Sequence, residues 1–285
     1  MKAHRQPAAV LDRTAYYRDE QHQIYLYHGD VFEVTRHLMA LDDWPKQVIT
    51  ITDPPYNVGM DYGAEVDDKR DVDTYMNWSN DWFELVPRPL VLTPGFVNFE
   101  MWVAYIGWPT GIIPWIKPNQ SKKPFAAWQW FNIWEPVLLY GKTPANPKQD
   151  VIITPIAQQA DVKRRLATGH LLNRHPCPKY LPFWLKLVGN VWKPGWYVYD
   201  PFVGSGTTAI VCKRLGIPFI GADIKASYLD LTVERLQQEV LDLPADVDDT
   251  FNYKLAQQML AFEPHPNGVM ADAMADAEIE EVVEA

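Results

Sequence analysis

The chain has 285 residues, enough for one large domain or two small ones, and 47% of them are hydrophobic, as in a folded globular protein. No apolar run approaches the roughly 18 residues of a membrane span, so we expect no membrane association. Only two cysteines are present, which excludes a disulfide framework, argues against a cysteine-rich zinc site and favours a reducing compartment.

The net charge of −10 is spread unevenly along the chain. Residues 117–193 carry 12 Lys and Arg against 3 Asp and Glu, whereas residues 239–285 carry 1 against 12. The basic segment is typical of a surface that binds a polyanion, although a solvated basic face would have the same composition. Residues 262–285 are rich in acids and alanine, and we expect them to form a flexible acidic tail.

Short β-branched and aromatic runs predict the strands of the first half of the chain. The clearest run is residues 47–52, which ends at Asp53 because the two following prolines cannot donate to a β-ladder. By the same criteria, further strands are predicted at residues 24–28, 95–99, 112–116 and 137–140.

The second half of the chain alternates helical and strand patterns. Apolar residues at positions i, i+3, i+4 and i+7 from Leu181 predict a helix. Strands are predicted at residues 196–200 and 218–223, with a helix over 208–215 between them and a further helix capped by Ser227. This β–α–β–α order predicts a parallel sheet with helices packed on it.

Residues 200–209 read Asp-Pro-Phe-Val-Gly-Ser-Gly-Thr-Thr-Ala and predict a strand-to-helix turn. Gly204 and Gly206 let the backbone approach a ligand closely, and N–H groups at the helix start can face a polar ligand. Asp223 lies 17 residues past Gly206, at the end of the next predicted strand, where a carboxylate can accept hydrogen bonds from ribose hydroxyls. The glycine spacing also satisfies a loose dinucleotide fingerprint, so an NAD-dependent oxidoreductase is an open alternative.

Asp53, Pro54, Pro55 and Tyr56 directly follow the predicted strand over residues 47–52. At the carboxyl end of a strand they project a carboxylate, backbone carbonyls and an aromatic ring into the crevice where ligands bind. Asp53 can accept one hydrogen of an exocyclic amine and the Pro54 carbonyl the other, while Tyr56 stacks on the heterocycle. Adenine N6 and cytosine N4 need this polarisation, because their lone pairs delocalise into the ring.

With these two motifs the chain resembles the DNA amino-methyltransferases, which methylate adenine N6 or cytosine N4 with S-adenosyl-L-methionine. It is most similar to their circularly permuted subgroup, in which the catalytic tetrapeptide precedes the cofactor glycines. The resemblance spans most of residues 24–240. It implies an α/β, Rossmann-like methyltransferase fold, with a mostly parallel sheet and helices on both faces. We expect a catalytic domain over residues 1–261, with a target-recognition insert at about residues 142–174.

The resemblance also implies roles for individual residues. Asp30 would lie near the cofactor adenine, Asp223 at its ribose and Lys179 near its methionine end. Together with these, the implied cofactor-binding residues are Asp200, Phe202, Gly204, Gly206, Thr207 and Thr208. The implied catalytic residues are Asp53, Pro54, Pro55 and Tyr56. In the basic segment, the expected DNA contacts are Lys122, Lys123, Lys163, Arg164, Arg165 and Arg174.

The resemblance favours adenine over cytosine as the methylated base. Relatives with Asp at the first catalytic position lean towards adenine N6, and cytosine-N4 enzymes of the subgroup more often carry Ser. The expected function is therefore site-specific methylation of adenine N6 in DNA, with cytosine N4 as the alternative. Besides DNA, the candidate partners are a second copy of the chain and a cognate restriction endonuclease. The expected setting is cytoplasmic, with a prokaryotic or viral origin.

Overall fold

The computed structural model describes residues 14–60, 68–118, 132–143, 150–154 and 179–238. The strands of these ranges form one nine-stranded sheet. In chain order they are β1 (Tyr17–Asp19), β2 (Ile24–His28), β3 (Val48–Thr52), β4 (Leu90–Leu92), β5 (Gly111–Ile116), β6 (Trp134–Tyr140), β7 (Ile152–Ile153), β8 (Tyr197–Asp200) and β9 (Phe219–Asp223). The helices are α1 (Val31–Met39), α2 (Val72–Leu85), α3 (Phe99–Tyr105), α4 (Leu181–Val191), α5 (Thr207–Leu215) and α6 (Ala226–Gln238).

The sheet is mostly parallel. Its strand order is β1-β2-β9-β8-β3-β4-β6-β5-β7, and the five strands from β2 to β4 in this order are mutually parallel. Strand β8 connects through α5 to β9 on one side, whereas β3 connects through α2 to β4 on the other. The chain therefore leaves the neighbouring strands β8 and β3 in opposite directions, which opens a crevice at their carboxyl ends.

Helices cover both faces of the sheet, as predicted. Ile24 and Leu26 of β2 pack in one apolar cluster with residues of α4, α5 and α6. Tyr25 and Tyr27, which alternate with them, pack in a second cluster with residues of α1, α2 and α3. Every residue of β3 is buried, as expected for a central parallel strand covered on both sides. The predicted α/β fold is confirmed.

The predicted strand over residues 95–99 is wrong. Gly95 has φ of +74°, a short 3₁₀ turn follows over Phe96–Asn98, and α3 begins at Phe99. The strand in this region is β4, only three residues long and buried throughout, so it lacks the alternation that marks a half-exposed strand. The apolar residues after Gly95 imitate a strand pattern, but the positive φ turns the chain away.

The predicted cap at Ser227 is also displaced. Helix α6 begins at Ala226, and the carbonyl of Lys225 already accepts hydrogen bonds from the N–H groups of Tyr228 and Leu229. Ser227 is therefore inside the first turn. Helices α1 and α2 were not predicted, although Asp30 and Asp71 cap them through side-chain hydrogen bonds to Phe32 N and Thr74 N.

Several sequence predictions fall on residues that the structure does not describe. They include all six expected DNA contacts, most of the insert at residues 142–174 and the whole acidic tail. Of the insert, residues 142–143 and 150–154 are described, and β7 within the second range pairs with β5 in parallel. Among the helices that the structure does describe, none combines the length and the hydrophobicity needed to cross a membrane.

The central position of β3 makes its core residues important for stability. Ile51 is fully buried, and its replacement by Ala is expected to lower the free energy of unfolding by about 2–5 kcal/mol, because it leaves a cavity. Val72→Ala, at a half-exposed position on α2, is the control and should change it by less than about 0.5 kcal/mol. Urea denaturation measures both; equal effects would contradict the placement of β3 in the core.

Candidate active site

A cavity of about 230 Å³ lies at the carboxyl ends of the parallel strands and is lined by both predicted motifs. All four residues of the tetrapeptide Asp53 to Tyr56 line it. The predicted cofactor residues that line it are Asp30, Lys179, Asp200, Phe202, Gly204, Thr207, Thr208 and Asp223. Gly206 is the one predicted cofactor residue that does not line the cavity. Two segments about 150 residues apart in sequence thus share one cleft.

The tetrapeptide is fixed by contacts from α2 and from the turn before α3. The Pro55 carbonyl accepts a hydrogen bond of 2.9 Å from the Tyr75 hydroxyl, and the Tyr56 carbonyl accepts one of 2.7 Å from Asn98 Nδ2. Gly95 makes room for the Tyr56 ring, since a Cβ there would lie 2.9 Å from Tyr56 Cε2. No described residue donates to the Pro54 carbonyl, which leaves it as an acceptor beside the cavity.

Asp53 is held by three donors. Its Oδ2 lies 2.8 Å from Lys179 Nζ, and its Oδ1 accepts a 2.6 Å hydrogen bond from the Tyr56 hydroxyl. The Thr93 hydroxyl also donates to Oδ1. Lys179 supplies a positive charge and the hydroxyls fix the plane of the carboxylate, so Asp53 is an oriented hydrogen-bond acceptor.

Lys179 touches two residues of the tetrapeptide, Asp53 and Tyr56. Its Nζ donates a 2.7 Å hydrogen bond to the Tyr56 hydroxyl and lies 4.4 Å from the centre of the Tyr56 ring. Burial, more than the charge of Asp53, raises the pKa of Tyr56 well above its usual value, so the phenol stays protonated. Lys179 lines the shared cavity, and its role in cofactor binding remains a prediction.

Asp200 joins the two motifs. Its Oδ1 accepts a 2.7 Å hydrogen bond from the Thr52 hydroxyl at the end of β3, and its Oδ2 accepts one of 2.7 Å from the Thr208 hydroxyl in α5. The Phe202 N–H also donates to Oδ1 at 3.0 Å. Thr52 immediately precedes Asp53, so this carboxylate ties the start of the tetrapeptide to the strand-to-helix turn at residues 200–207, here called the glycine turn.

Asp223 and Asp30, the acids predicted to contact the nucleoside part of the cofactor, both line the cavity. The oxygens of Asp223 accept hydrogen bonds from Gly204 N at 2.8 Å and Lys225 N at 2.9 Å. Asp30 caps α1 through a 2.8 Å hydrogen bond from Phe32 N to its Oδ1. A carboxylate oxygen has two lone pairs, so both acids can accept further hydrogen bonds from a ligand.

The glycine turn carries a polar group that can hydrogen-bond to a ligand. Gly206 has φ of +81°, and a Cβ there would lie 2.5 Å from Thr232, so no larger residue fits this turn. Beside it, the buried hydroxyl of Thr207 has no hydrogen-bond partner in the part of the chain that the structure describes. Thr207 lines the cavity, and a polar group bound there would satisfy this hydroxyl.

Sequence reasoning missed the residues that support the tetrapeptide, chiefly Thr93, Tyr75 and Asn98. Thr93 follows β4, the strand beside β3, and its N–H donates to the Thr52 carbonyl at 3.2 Å. A prediction of β4 would have placed Thr93 at the carboxyl edge of the sheet next to Asp53. Tyr75 and Asn98 carry no comparable signal, because their contacts depend on how α2 and the 3₁₀ turn pack.

Comparison with known proteins assigns the family. Residues 48–234 match the N6/N4 methyltransferase family, described as DNA methylase, and this chain belongs to that family. The matched range contains both the tetrapeptide and the glycine turn. The predicted DNA amino-methyltransferase is thereby confirmed.

Among curated relatives, the chain is similar to the type II methyltransferase M.HpaI of Haemophilus parainfluenzae. The two are 29% identical, and their alignment covers 67% of this chain and 68% of the relative. It is also similar to the type II methyltransferase M.ScaI of Streptomyces caespitosus. These two are 24% identical, and their alignment covers 79% of this chain and 84% of the relative. Both relatives are named as type II methyltransferases.

Two solved structures share the fold. One is a complex of M1.HpyAVI with SAM, at a TM-score of 0.50 and 23% identity, covering 75% of this chain and 100% of that one. The other is the cytosine-N4-specific PvuII DNA methyltransferase, at a TM-score of 0.52 and 14% identity, covering 85% of this chain and 94% of that one. At these identities the likeness supports the Rossmann-like methyltransferase fold and leaves the methylated base open.

The contact between Gly95 and Tyr56 predicts the effect of adding one methyl group. Gly95→Ala combines an unfavourable positive φ with a clash against the Tyr56 ring, and should lower the free energy of unfolding by roughly 2–4 kcal/mol. Gly107→Ala is the matched control, because Gly107 has φ of +104° and nothing within 4 Å of the added Cβ. Gly107→Ala should lower the free energy of unfolding by only about 1–2 kcal/mol. Equal costs in urea denaturation would argue against the Tyr56 contact.

Burial raises the pKa of Asp200 from 3.8 to about 6, although the Thr208 and Thr52 hydroxyls oppose the shift. The folded protein therefore binds this proton more tightly than the unfolded chain, and the side chain costs stability as the pH rises from about 4 to about 6. Asp200→Asn cannot ionise. Relative to wild type, its unfolding free energy should thus increase by about 2–3 kcal/mol between pH 4 and pH 7, measured by urea denaturation. A pH-independent difference would contradict the raised pKa.

Proposed function

We propose that this DNA methyltransferase transfers a methyl group from S-adenosyl-L-methionine to N6 of adenine at specific sites in DNA. The observation that carries the proposal is the single cavity lined by Asp53, Pro54 and Tyr56 on one side and by Gly204 and Thr207 on the other. A methyl donor at the glycine turn and a nucleobase at the tetrapeptide would then occupy adjacent parts of one cleft.

The tetrapeptide supplies two acceptors for the target amine. In the proposed reaction the oriented carboxylate of Asp53 accepts one N6 hydrogen, and the Pro54 carbonyl, to which no described residue donates, accepts the other. Drawing on both hydrogens localises the nitrogen lone pair. Asp53 need not be a strong base, because the methylated ammonium is acidic and loses its proton readily. Lys179 Nζ, 2.8 Å from Asp53 Oδ2, helps to fix the position of this carboxylate.

The residues of the glycine half fit the cofactor. Asp223 and Asp30 have lone pairs for ribose hydroxyls and an adenine amine, and Phe202 offers an apolar wall. The Thr207 hydroxyl, which has no partner among the described residues, lies at the turn. When bound, S-adenosyl-L-methionine supplies an electrophilic methyl group on a positively charged sulfur. We assign the remaining predicted cofactor contacts, including Thr208 and Gly206, to shaping this half of the cleft.

The choice of adenine follows from Asp53. Family members with Asp at this position lean towards adenine, whereas cytosine-N4 enzymes of the subgroup more often carry Ser, and Asp53 here pairs with Lys179 at 2.8 Å. We also propose DNA contacts at Lys122, Lys123, Lys163, Arg164, Arg165 and Arg174, and a cognate restriction endonuclease as a functional partner. These six residues lie outside the described part of the chain.

Base identity is tested by incubating the protein with labelled S-adenosyl-L-methionine and unmethylated genomic DNA, then sequencing the DNA for modified bases. The expected product is N6-methyladenine within one short recognition sequence. Cytosine methylated at N4 would refute the adenine assignment while leaving the reaction class intact. Binding of NAD in place of S-adenosyl-L-methionine in calorimetric titration would overturn the whole proposal.

The role of Asp53 predicts a separation of binding from catalysis. Asp53→Ala is expected to lower kcat by roughly 10²–10⁴-fold, because the amine loses its charged acceptor, while the affinity for S-adenosyl-L-methionine stays within a few-fold. Asp42→Ala, which removes an exposed carboxylate that does not line the cavity, serves as the control with wild-type turnover. Methyl incorporation and calorimetry measure the two quantities. Wild-type turnover by the Asp53 variant would contradict its catalytic role.

A further inference from the structure

The backbone N–H groups of residues 57–60, the four residues after the tetrapeptide, all donate hydrogen bonds to Asp68. The N–H groups of Asn57, Val58 and Met60 donate to the Asp68 carboxylate at 2.7, 3.1 and 2.8 Å, and the N–H of Gly59 donates to the Asp68 carbonyl at 2.8 Å. Asp68 is only 4% exposed. A buried carboxylate that accepts three backbone N–H groups fixes the path of that backbone strongly.

A second pair of hydrogen bonds closes the same structure. Asn57 Nδ2 donates to the Arg70 carbonyl at 2.8 Å, and the Arg70 N–H donates to Asn57 Oδ1 at 2.8 Å. Asn57 also has φ of +56°, a backbone conformation that needs support from its surroundings. We call Asn57, Asp68 and Arg70, with the hydrogen bonds they make, the Asp68 clasp.

The clasp holds apolar side chains at the rim of the active-site cavity. Val58 and Met60 both line the cavity, yet 53% and 37% of their surface is exposed to solvent. They follow Tyr56 directly in the chain, on the catalytic side of the cleft. Asp68 itself does not line the cavity, so we expect it to act on the reaction through the segment it holds and not by direct contact with a substrate.

We propose that Asp68 is a positioning residue, which holds Val58 and Met60 at the cavity rim as an apolar contact for the target base. This inference rests on the proposed function, because it assigns the rim to a base that has left the DNA stack. A planar heterocycle in the cleft has two apolar faces, and the rim provides aliphatic surface beside the Tyr56 ring. The clasp fixes this surface before the base arrives, so little ordering is needed during the reaction.

The chemistry of the clasp suggests an isosteric test. Asp68→Asn keeps the shape of the side chain but replaces one acceptor oxygen by an NH₂ donor. Either orientation of the amide directs that donor at a backbone N–H, of Asn57 in one case and of Val58 and Met60 in the other. At least one hydrogen bond of the clasp is therefore lost without a change in volume.

The matched control is Asp71→Asn. Asp71 is exposed and caps α2 through a 2.9 Å hydrogen bond from Thr74 N, a role that Asn fills equally well. For wild type and both variants, three quantities are measured: amide hydrogen exchange of residues 57–60, the affinity for S-adenosyl-L-methionine by calorimetry, and kcat and KM for methylation of DNA. Asp68→Ala, which removes the acceptors without adding a donor, is compared in the same way.

For Asp68→Asn we expect faster exchange of the amides of residues 57–60, an unchanged cofactor affinity and a kcat lowered on the order of 10²-fold, as a misplaced reactant commonly causes. Asp71→Asn should match wild type in amide exchange, in cofactor affinity and in kcat and KM. Asp68→Ala should resemble Asp68→Asn.

Three results would overturn the inference: unchanged exchange, unchanged kcat despite faster exchange, or cofactor affinity that falls by the same factor as kcat, which marks a purely structural role. Methylation of cytosine by the wild-type protein would correct the proposed base and leave the Asp68 comparison valid. Wild-type protein that methylates no DNA would refute the proposed function, and with it the role of the rim in catalysis.

Discussion

The structure of this active site depends on the hydrogen bonds of one buried carboxylate, that of Asp200. It ends β8 and binds the Thr52 hydroxyl at the end of β3, so that two strands from distant parts of the chain are joined where both functional motifs begin. Burial makes ionisation of this group unfavourable, as its raised pKa shows. Its three donors come from Thr52, Phe202 and Thr208, so this buried acid sets the relative position of the tetrapeptide and the glycine turn.

Charge is arranged differently in the two halves of the cleft. Around Asp53, a lysine and two hydroxyls surround a carboxylate that is only partly buried, and they direct its oxygens. At the glycine turn, Asp223 is held by backbone N–H groups, and burial raises its pKa to about 6. The first arrangement suits an acceptor for an amine, and the second suits a fixed acceptor for neutral hydroxyls. Because their environments differ, we propose that the two carboxylates serve different parts of the reaction.

Much of this site could be predicted from sequence because its main residues follow strands. Asp53, Asp200 and Asp223 each stand at the end of a β-branched or aromatic run, and parallel strands bring their carboxyl ends to one edge. Thr93 was missed because β4 is too short and too buried to show the alternation of apolar and polar residues that marks a strand. Tyr75 and Asn98 reach the tetrapeptide through helix and turn packing, which no local pattern encodes. Gly95 was misread since its neighbours are apolar, and only the positive φ reveals the turn.

The sheet explains why the order of the motifs along the chain does not matter for the chemistry. Strands β8 and β3 are neighbours and parallel, so their carboxyl ends meet whichever of them comes first in sequence. What the order does change is the connection between them: here the chain leaves β3, forms β4 to β7 and α4, and only then returns as β8. The basic segment lies within this connection. The order of the motifs therefore decides which segment lies between the two strands, and here it is the segment in which we propose the DNA contacts.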